Sequence, residues 1–140
     1  MQLVSVIINC YNGERFLKEA IDSVYNQTYQ NWEIIFWDNA STDNSSQIAK
    51  SYDKRLKYFK SNINTSIGEA RYSAITKAQG NYICFLDCDD VFISSKLEIQ
   101  INRMHETNFL MSYGSSLIIN EKGKIIKKFK VKNNNGYIFH

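Results

Sequence analysis

The 140-residue sequence lacks the features that mark several common classes of protein. No segment approaches the run of about 18 apolar residues that crosses a bilayer. The first residues, MQLVSVIINCYN, lack the basic start and long apolar centre of a signal peptide. We therefore expect a soluble, cytoplasmic protein without a transmembrane segment, and peripheral association with the inner face of the membrane stays open. Proline is also absent, and we attach no function to that absence.

The sequence also lacks the usual motifs for phosphate and zinc. Neither GxxxxGK[ST] nor GxGxxG occurs, so phosphate is not held by either common glycine-rich loop. His105 is isolated on a predicted helix and His140 is the last residue, which argues against zinc. The three cysteines, Cys10, Cys84 and Cys88, form no CxxC pair, and we expect them to be reduced intracellular thiols.

What the chain does contain is typical of one globular domain, which we predict to span residues 1–140. The composition is 44% hydrophobic with both charge signs mixed, and the net charge is +3. Part of the excess positive charge lies in the segment KGKIIKKFKVKNNN, where lysines alternate with apolar residues as on a solvated strand or hairpin. A patch for nucleic acid or an anionic membrane is the alternative, but we favour a solvated face and expect no nucleic-acid partner.

Apolar runs alternate with helical patterns along most of the chain. Runs at residues 3–8, 32–37, 55–60 and 82–86 predict strands, and apolar residues at helical spacing follow each of them. We expect the strand at 82–86 to be central and covered on both faces, and Gly80 to cap the helix before it. The last third predicts a strand pair with turns at 121–124 and 133–136. The fold class is therefore α/β, an open, mostly parallel sheet with helices on both faces and a C-terminal strand pair.

Polar clusters follow the carboxyl ends of three predicted strands: NCYN, DNAS and DCDD. In open parallel sheets this edge is where ligands bind, so we expect the clusters to face one crevice. If strand geometry persists, Asp87 and Asp89 point to the same side and Asp90 to the other. Paired carboxylates suit Mg²⁺ or Mn²⁺. Helix capping or plain solvation is the alternative, which we favour for Asp90 alone.

Other residues at these clusters suit a nucleotide. Tyr11 offers a ring on which a base could stack, and Asp38 or Asn39 could accept an N–H from the edge of the base. Arg71 lies among apolar positions of its helix, where a cation needs an anionic neighbour. Nucleotide phosphates or the Asp87 cluster could serve, and a structural salt bridge is an equal alternative.

Two long stretches carry a family resemblance. VSVIINCYNGERFLKEAIDSVYNQTYQNWEIIFWDNASTDNS and GEARYSAITKAQGNYICFLDCDD resemble the nucleotide-sugar-binding part of family 2 glycosyltransferases, which have the GT-A fold. The likeness runs from about residue 4 to 97, and INEKGKII is similar to the family's following hairpin. It implies a nucleobase contact near Tyr11 and Asp38, a nucleotide contact by Arg71, and a DxD motif. In that motif Asp87 would contact ribose or metal, and Asp89 would be the chief metal ligand.

The expected donor site combines these residues with others at the same polar clusters. The residues expected to bind the nucleotide sugar are Asn9, Tyr11, Asp38, Asn39, Arg71, Asp87 and Cys88, with Asp89 and Asp87 holding Mn²⁺ or Mg²⁺. The sequence departs from the family pattern in places. Asn9 stands where the family commonly has Pro or Thr, and Asn39 stands where a second Asp is frequent.

The activity implied by the resemblance is inverting transfer of a sugar, with a UDP-sugar as donor, to a saccharide or lipid-linked acceptor in polysaccharide assembly. Members of the family continue beyond this length, where the acceptor site and general base lie, so we name no catalytic base. The alternative is a truncated domain that binds nucleotide without transferring sugar. A receiver-type signalling domain is a weaker alternative, because it needs an acidic pair where this chain has NCYN.

Overall fold

A computed structural model describes residues 2–130 of the chain. Its elements, in order, are β1 (Val4–Cys10), α1 (Glu14–Tyr25), β2 (Trp32–Asp38), α2 (Ser45–Lys50), β3 (Leu56–Lys60), α3 (Ile67–Ile75), β4 (Tyr82–Asp87), α4 (Lys96–Thr107), β5 (Ser116–Ile119) and β6 (Ile125–Phe129). They divide into two compact units, a first unit of Met1–Ile99 and a second unit of Gln100–His140.

The first unit is built on a four-stranded sheet in the order β3-β2-β1-β4, with every neighbouring pair parallel. All seven residues of β1 are buried, and β2 is buried along almost its whole length. This agrees with their near-continuous apolar sequences, which are typical of strands covered on both faces. The predicted parallel sheet is confirmed.

Helices flank both faces of this sheet. On one face Ala74 of α3 packs against Ile7 and Ile35, which are neighbours on β1 and β2. On the opposite face Lys50, at the end of α2, lies 4.5 Å from the ring centre of Tyr58 on β3. α1 packs beside α2 with its buried stripe of Leu17, Ala20, Ile21 and Val24. The helical spacing of those apolar residues is what predicts the helix.

The strand β4 differs from its prediction. Within residues 2–130 it is an edge strand of the sheet, and the side chains of Ile83 and Phe85 are 43% and 44% exposed. The expectation of a central strand covered on both faces is therefore wrong for the described part of the chain. An apolar run reports a preference for burial but does not say which neighbours supply it.

Gly80 also has a different role from the one predicted. The helix α3 ends at Ile75 with Thr76 as its C-cap in a right-handed helical conformation, so Gly80 does not cap it. A Cβ at Gly80 would lie 2.6 Å from the backbone nitrogen of Ser5 and 2.8 Å from the carbonyl oxygen of Leu3. Glycine is required here because the backbone passes against β1 with no room for a side chain.

The second unit contains the predicted strand pair. Strands β5 and β6 are antiparallel, and the turn between them places Gly123 at a φ of +73°, a left-handed conformation that favours glycine. The turn expected at 133–136 lies outside the described residues. Across residues 2–130 the structure contains no helix with the length and apolarity needed to cross a membrane.

Candidate functional site

The three polar clusters meet at the carboxyl edge of the parallel sheet. In the register of the sheet, Asn9 pairs with Asp87 on one side and with Trp37 on the other, and Cys10 pairs with Asp38. The backbone N–H of Asn39 donates to the Cys10 carbonyl at 2.8 Å, which continues the ladder past β2. The three clusters therefore lie at one edge of the sheet within the described residues, and a single crevice that they share stays a prediction.

Asp38 is fully buried and its carboxylate is engaged inside the protein. It accepts hydrogen bonds from the Ser41 backbone N–H at 2.7 Å and the Tyr58 hydroxyl at 2.6 Å, and the Lys60 ammonium lies 3.5 Å away. Burial by itself would raise the pKa of Asp38, but these hydrogen bonds and the charge of Lys60 outweigh it and lower the pKa. In this structure Asp38 acts as an anchor for the loop after β2.

Asn39 holds a second loop. Its amide nitrogen donates to the side-chain oxygen of Asn64 at 2.7 Å and to the Thr65 carbonyl at 2.8 Å, while its amide oxygen accepts from the Thr65 hydroxyl at 3.0 Å. That loop leads into α3, which begins with a capping box between Ser66 and Glu69. Asn39 therefore fixes the segment that carries the start of α3.

Two buried nitrogen donors at this edge have no hydrogen-bond partner within residues 2–130. They are the side-chain amide nitrogen of Asn9, a residue that is only 7% exposed, and the indole nitrogen of Trp37. The two residues are register neighbours, so both side chains leave the same face of the sheet. Buried donors are normally satisfied, and an orphaned pair beside a crevice indicates a place where a ligand supplies acceptors.

Tyr11 stands at the lip of the same edge with half of its surface exposed. The loop behind it is well anchored: Asn12 has a left-handed φ of +53°, its backbone N–H donates to the Ser41 hydroxyl at 3.1 Å, and its side chain accepts from the Thr42 backbone N–H at 2.9 Å. The Tyr11 ring is therefore exposed on a constrained backbone, as a stacking platform needs to be.

The acidic cluster begins with an ion pair. A guanidinium nitrogen of Arg71 lies 2.8 Å from a carboxylate oxygen of Asp87, and both side chains keep substantial solvent exposure. The same guanidinium lies 5.4 Å from the ring centre of Phe85. Of the two partners expected for Arg71, the structure shows the Asp87 cluster. The pair places the Arg71 guanidinium at the edge of the sheet, where the Asp87 carboxylate balances its charge.

The geometry of the next residues differs from the prediction. The strand ends at Asp87, and the Asp90 backbone N–H donates to the Asp87 carbonyl at 3.0 Å, which closes a turn over residues 87–90. Strand alternation therefore does not continue, and the argument that places Asp87 and Asp89 on one side of a strand fails. Burial and the charges of Asp89 and Asp87 raise the pKa of Asp90.

The turn contains two oxygen-donor carboxylates that fit a hard divalent cation, Asp87 and Asp89. Among residues 2–130, no three His, Cys, Asp or Glu side chains are grouped closely enough to hold a metal by themselves. Asp87 and Asp89 would therefore supply part of a coordination shell. Mg²⁺ and Mn²⁺ commonly accept such an arrangement, because waters and substrate phosphates complete it.

Cys88, the second residue of the turn, lies beside Cys10. Both cysteines are free thiols. The side chain of Cys88 hydrogen-bonds Cys10, and this bond, with a weaker one to the Ser45 hydroxyl, lowers the pKa of Cys10 to about 7 although burial opposes the shift. A Cβ at Gly13 would lie 2.8 Å from the Cys10 sulfur and 2.9 Å from that of Cys88. Gly13 therefore leaves the space in which the two thiols meet.

Sequence reasoning missed Trp37 and Lys60. The Lys60 ammonium lies 3.0 Å from the Ser41 carbonyl and close to Asp38, so it helps to fix the loop after β2. Trp37 reads as an ordinary apolar strand residue. The two-residue alternation of a strand places it on the same face as residue 35, and aligning β1 with β2 would have set it beside Asn9.

Comparison with known protein families gives a match over almost the whole chain. A family model described as Glycosyl transferase family 2 matches residues 5–139. An uncharacterized glycosyltransferase of Rickettsia felis is 46% identical over 126 residues, which cover 89% of this chain and 21% of that protein. An Escherichia coli protein named UDP-Glc:alpha-D-GlcNAc-diphosphoundecaprenol beta-1,3-glucosyltransferase WfgD is 39% identical over 128 residues, or 91% of this chain and 50% of that protein. The chain thus spans half the length or less of these two relatives.

Solved structures match as well. Staphylococcus aureus TarS 1-349, solved in complex with UDP, superposes with a TM-score of 0.73 at 28% identity and covers 77% of this chain and 33% of that chain. The mannosyltransferase PcManGT from Pyrobaculum calidifontis, solved with GDP-Man and Mn²⁺, has a TM-score of 0.69 at 20% identity and covers 85% of this chain and 36% of that one. The second likeness concerns the fold alone.

Proposed function

Because this chain belongs to glycosyl transferase family 2 and its structural neighbours are GT-A glycosyltransferases, we propose that residues 1–140 form a donor-binding domain. The domain binds a UDP-sugar through a divalent cation. In the intact protein it supplies that donor for inverting transfer to a saccharide or lipid-linked acceptor. The UDP in the TarS structure and the UDP-Glc in the name of the E. coli relative favour a uridine nucleotide.

One observation carries the proposal: the unpartnered amide of Asn9 lies in register with Asp87 at the carboxyl edge of the sheet, within the described residues. The Asn9 amide can donate a hydrogen bond to a ligand, and the neighbouring Asp87 carboxylate can accept one from the same ligand. The exposed Tyr11 ring, on the next residue but one after Asn9, adds a surface on which a base can stack.

Asp38 and Asn39 enter the proposal with narrower roles. Their polar atoms already bond Ser41, Tyr58, Asn64 and Thr65. We assign them to the floor of the base pocket, where they hold the two loops between which a base would lie. A direct contact with the base would come from outward-facing groups on these loops or from backbone.

Asp87 and Asp89 are assigned to Mn²⁺ or Mg²⁺, with Asp89 as the chief ligand because Asp87 already pairs with Arg71. Cys88, between them, would present its backbone to the nucleotide. The cation, when bound, neutralises negative charge on the diphosphate. Arg71 would then turn part of its positive charge to the ribose or phosphates while it keeps Asp87 in place.

The acceptor and the general base are not assigned. An inverting transfer requires a base that removes the acceptor hydroxyl proton as the sugar is transferred. Glu106 is paired with Arg103 at 3.7 Å on the exposed part of α4, and nothing about Glu121 marks it as a base. The E. coli relative is named for action on a diphosphoundecaprenol-linked sugar. That name favours a lipid-linked acceptor, and with it peripheral association at the inner face of the membrane.

Calorimetric titration of the 140-residue chain with UDP tests the donor site. We expect UDP to bind the chain in the presence of Mn²⁺. The affinity for UDP should fall by at least about tenfold in EDTA, which removes the cation, and in the Asp89→Asn variant, which lacks a coordinating carboxylate. The matched control is Glu19→Gln, an exposed carboxylate on α1, which should bind UDP as the parent chain does. Equal affinity with and without Mn²⁺, or in Asp89→Asn, would contradict the assignment.

A second candidate function is nucleotide binding without transfer by this chain, favoured by its span of half or less of those two relatives. Comparing UDP-sugar hydrolysis with UDP-sugar binding under the same Mn²⁺ concentration separates the two. Binding with no release of UDP assigns transfer to a longer protein or a partner chain. Turnover above the rate without protein assigns it to this domain.

A further inference from the structure

Two cysteines share one small space at the carboxyl edge of the sheet. Both sulfurs lie within 2.9 Å of the point where a Cβ at Gly13 would stand, so the same small space separates the two side chains. The structure thus brings together two thiols, Cys10 and Cys88, that lie far apart in the sequence.

The backbone brings these two cysteines to the same edge of the sheet. Asn9 and Asp87 are the last paired residues of the neighbouring parallel strands β1 and β4, and Cys10 and Cys88 each follow by one residue. Neighbouring strands lie about 4.8 Å apart at Asn9 and Asp87, and Cys88 begins the turn that follows. A disulfide joins Cα atoms about 4.4–6.8 Å apart, so joining the two sulfurs needs side-chain rotation and adjustment of this turn.

The surroundings select this pair over others. Cys10 is buried and its sulfur contacts the Ser45 hydroxyl at 3.5 Å, whereas Cys88 is partly exposed, so a small oxidant can reach the pair from the Cys88 side. Cys84, the third cysteine, pairs in register with Val6 and its sulfur contacts the Lys96 ammonium at 3.3 Å. Cys84 lies on the edge strand β4, level with Val6 of β1 and therefore well before Cys10 along the sheet.

We propose that Cys10 and Cys88 are a modification site: a peroxide oxidant converts this dithiol to a disulfide, which ties the acidic turn to β1 and weakens donor binding. The disulfide itself is independent of the proposed function. Its effect on donor binding rests on that function, because Cys88 lies between the two carboxylates assigned to the cation.

The chemistry balances with hydrogen peroxide as the two-electron oxidant. The sulfur of one cysteine of the pair attacks one peroxide oxygen, the O–O bond breaks, and a sulfenic acid and one water form. The sulfur of the other cysteine then attacks the sulfenic sulfur, the S–O bond breaks, and the second water leaves with the proton of the attacking thiol. Overall two thiols and one peroxide give one disulfide and two waters. Thiol reductants of the cytoplasm reverse the change.

Oxidation followed by non-reducing peptide mapping tests the site. We expect a cross-linked peptide joining Cys10 to Cys88 after peroxide treatment of the 140-residue chain, lost on addition of dithiothreitol. The Cys84→Ser variant, the matched control, should give the same cross-link, and Cys10→Ser should not. Three free thiols after oxidation, a cross-link that includes Cys84, or sulfonic acid at Cys88 in the parent chain would each overturn the proposal.

The effect on donor binding has its own readout. We expect UDP with Mn²⁺ to bind the oxidised chain about tenfold more weakly, within the usual range of coupling between linked sites, with affinity restored by dithiothreitol. Unchanged UDP affinity in a chain mapped as fully cross-linked would overturn the coupling. No UDP binding by the reduced chain would instead contradict the donor-site proposal, while the peptide map still decides the disulfide.

Discussion

At the scale of single residues, burial separates two polar side chains that the sequence presents alike. Asp38 and Asn9 end neighbouring strands and are both buried. The oxygens of Asp38 are used by Ser41 and Tyr58, whereas the Asn9 amide nitrogen finds no partner in the described residues. Asp38 is therefore expected to act mainly on stability, and Asn9 mainly on a ligand.

The Asp38→Asn variant tests this division. The amide would place an N–H₂ group where two donors and an ammonium now converge, so we expect the free energy of unfolding in urea to fall by about 3 kcal/mol. The control, Glu19→Gln, changes an exposed carboxylate on α1 and should cost much less, because solvent screens the charge of that side chain. Unchanged stability with a loss of UDP affinity would assign Asp38 to base contact instead.

At the scale of elements, the spacing of apolar residues predicts which segments are strands and which are helices. It does not predict where each element ends or which elements lie beside it. The apolar run of β1 predicts a buried strand because consecutive residues fill both faces of the sheet. The same kind of run in β4 misled, since Ile83 and Phe85 are partly exposed on an edge strand. The turn at Asp87 is closed by a hydrogen bond from the Asp90 backbone N–H to the Asp87 carbonyl, and the pattern of side chains in the sequence does not predict that bond.

The sequence also does not predict which glycines are required by close packing. A pair of glycine substitutions tests this requirement. Gly80→Ala would set a Cβ 2.6 Å from the Ser5 backbone nitrogen, and we expect about 1–3 kcal/mol of destabilisation from overpacking. Gly68, inside α3, has no atom within 4 Å of such a Cβ, so Gly68→Ala should stabilise by about 0.5–1 kcal/mol through helix propensity. Both are measured by urea unfolding. Equal effects of the two changes would contradict the close approach at Gly80.

At the scale of the whole molecule, the family, the fold class and the shared edge of the polar clusters could be predicted from the sequence. Spaced motifs specify the order of strands and loops, so they place Asn9, Asp38 and Asp87 together. They could not reveal that Asp38 is consumed by internal hydrogen bonds, or that Cys10 and Cys88 touch. The first fact depends on side-chain packing between β2 and β3, and the second on packing between segments about 80 residues apart in sequence.

Global stability should depend on pH through two buried carboxylates. Glu33 accepts hydrogen bonds from Ser5 at 2.6 Å and pairs with Lys57 at 2.6 Å. Burial would raise the pKa values of Glu33 and Asp38, but their partners outweigh it and lower both. A lowered folded-state pKa contributes stability that is complete above the unfolded-state pKa and is lost as pH falls through the folded-state pKa.

We therefore expect the free energy of unfolding to be nearly constant from about pH 7 to pH 5 and to fall progressively below pH 5. Urea unfolding curves at one-unit pH intervals measure it. In Asp38→Asn the decline should be shallower, because one of the two groups no longer titrates. A parent chain whose stability rises on acidification would contradict this account.

The side of β4 that faces away from β1 should affect how the protein behaves in concentrated solution. One side of β4 pairs with β1, no strand within residues 2–130 pairs with its other side, and apolar Ile83 and Phe85 on this strand are partly exposed. Such a rim is a template for additional strands, including those of another copy. Self-association should therefore grow with protein concentration, and light scattering along a dilution series would measure how strongly one molecule adheres to the next.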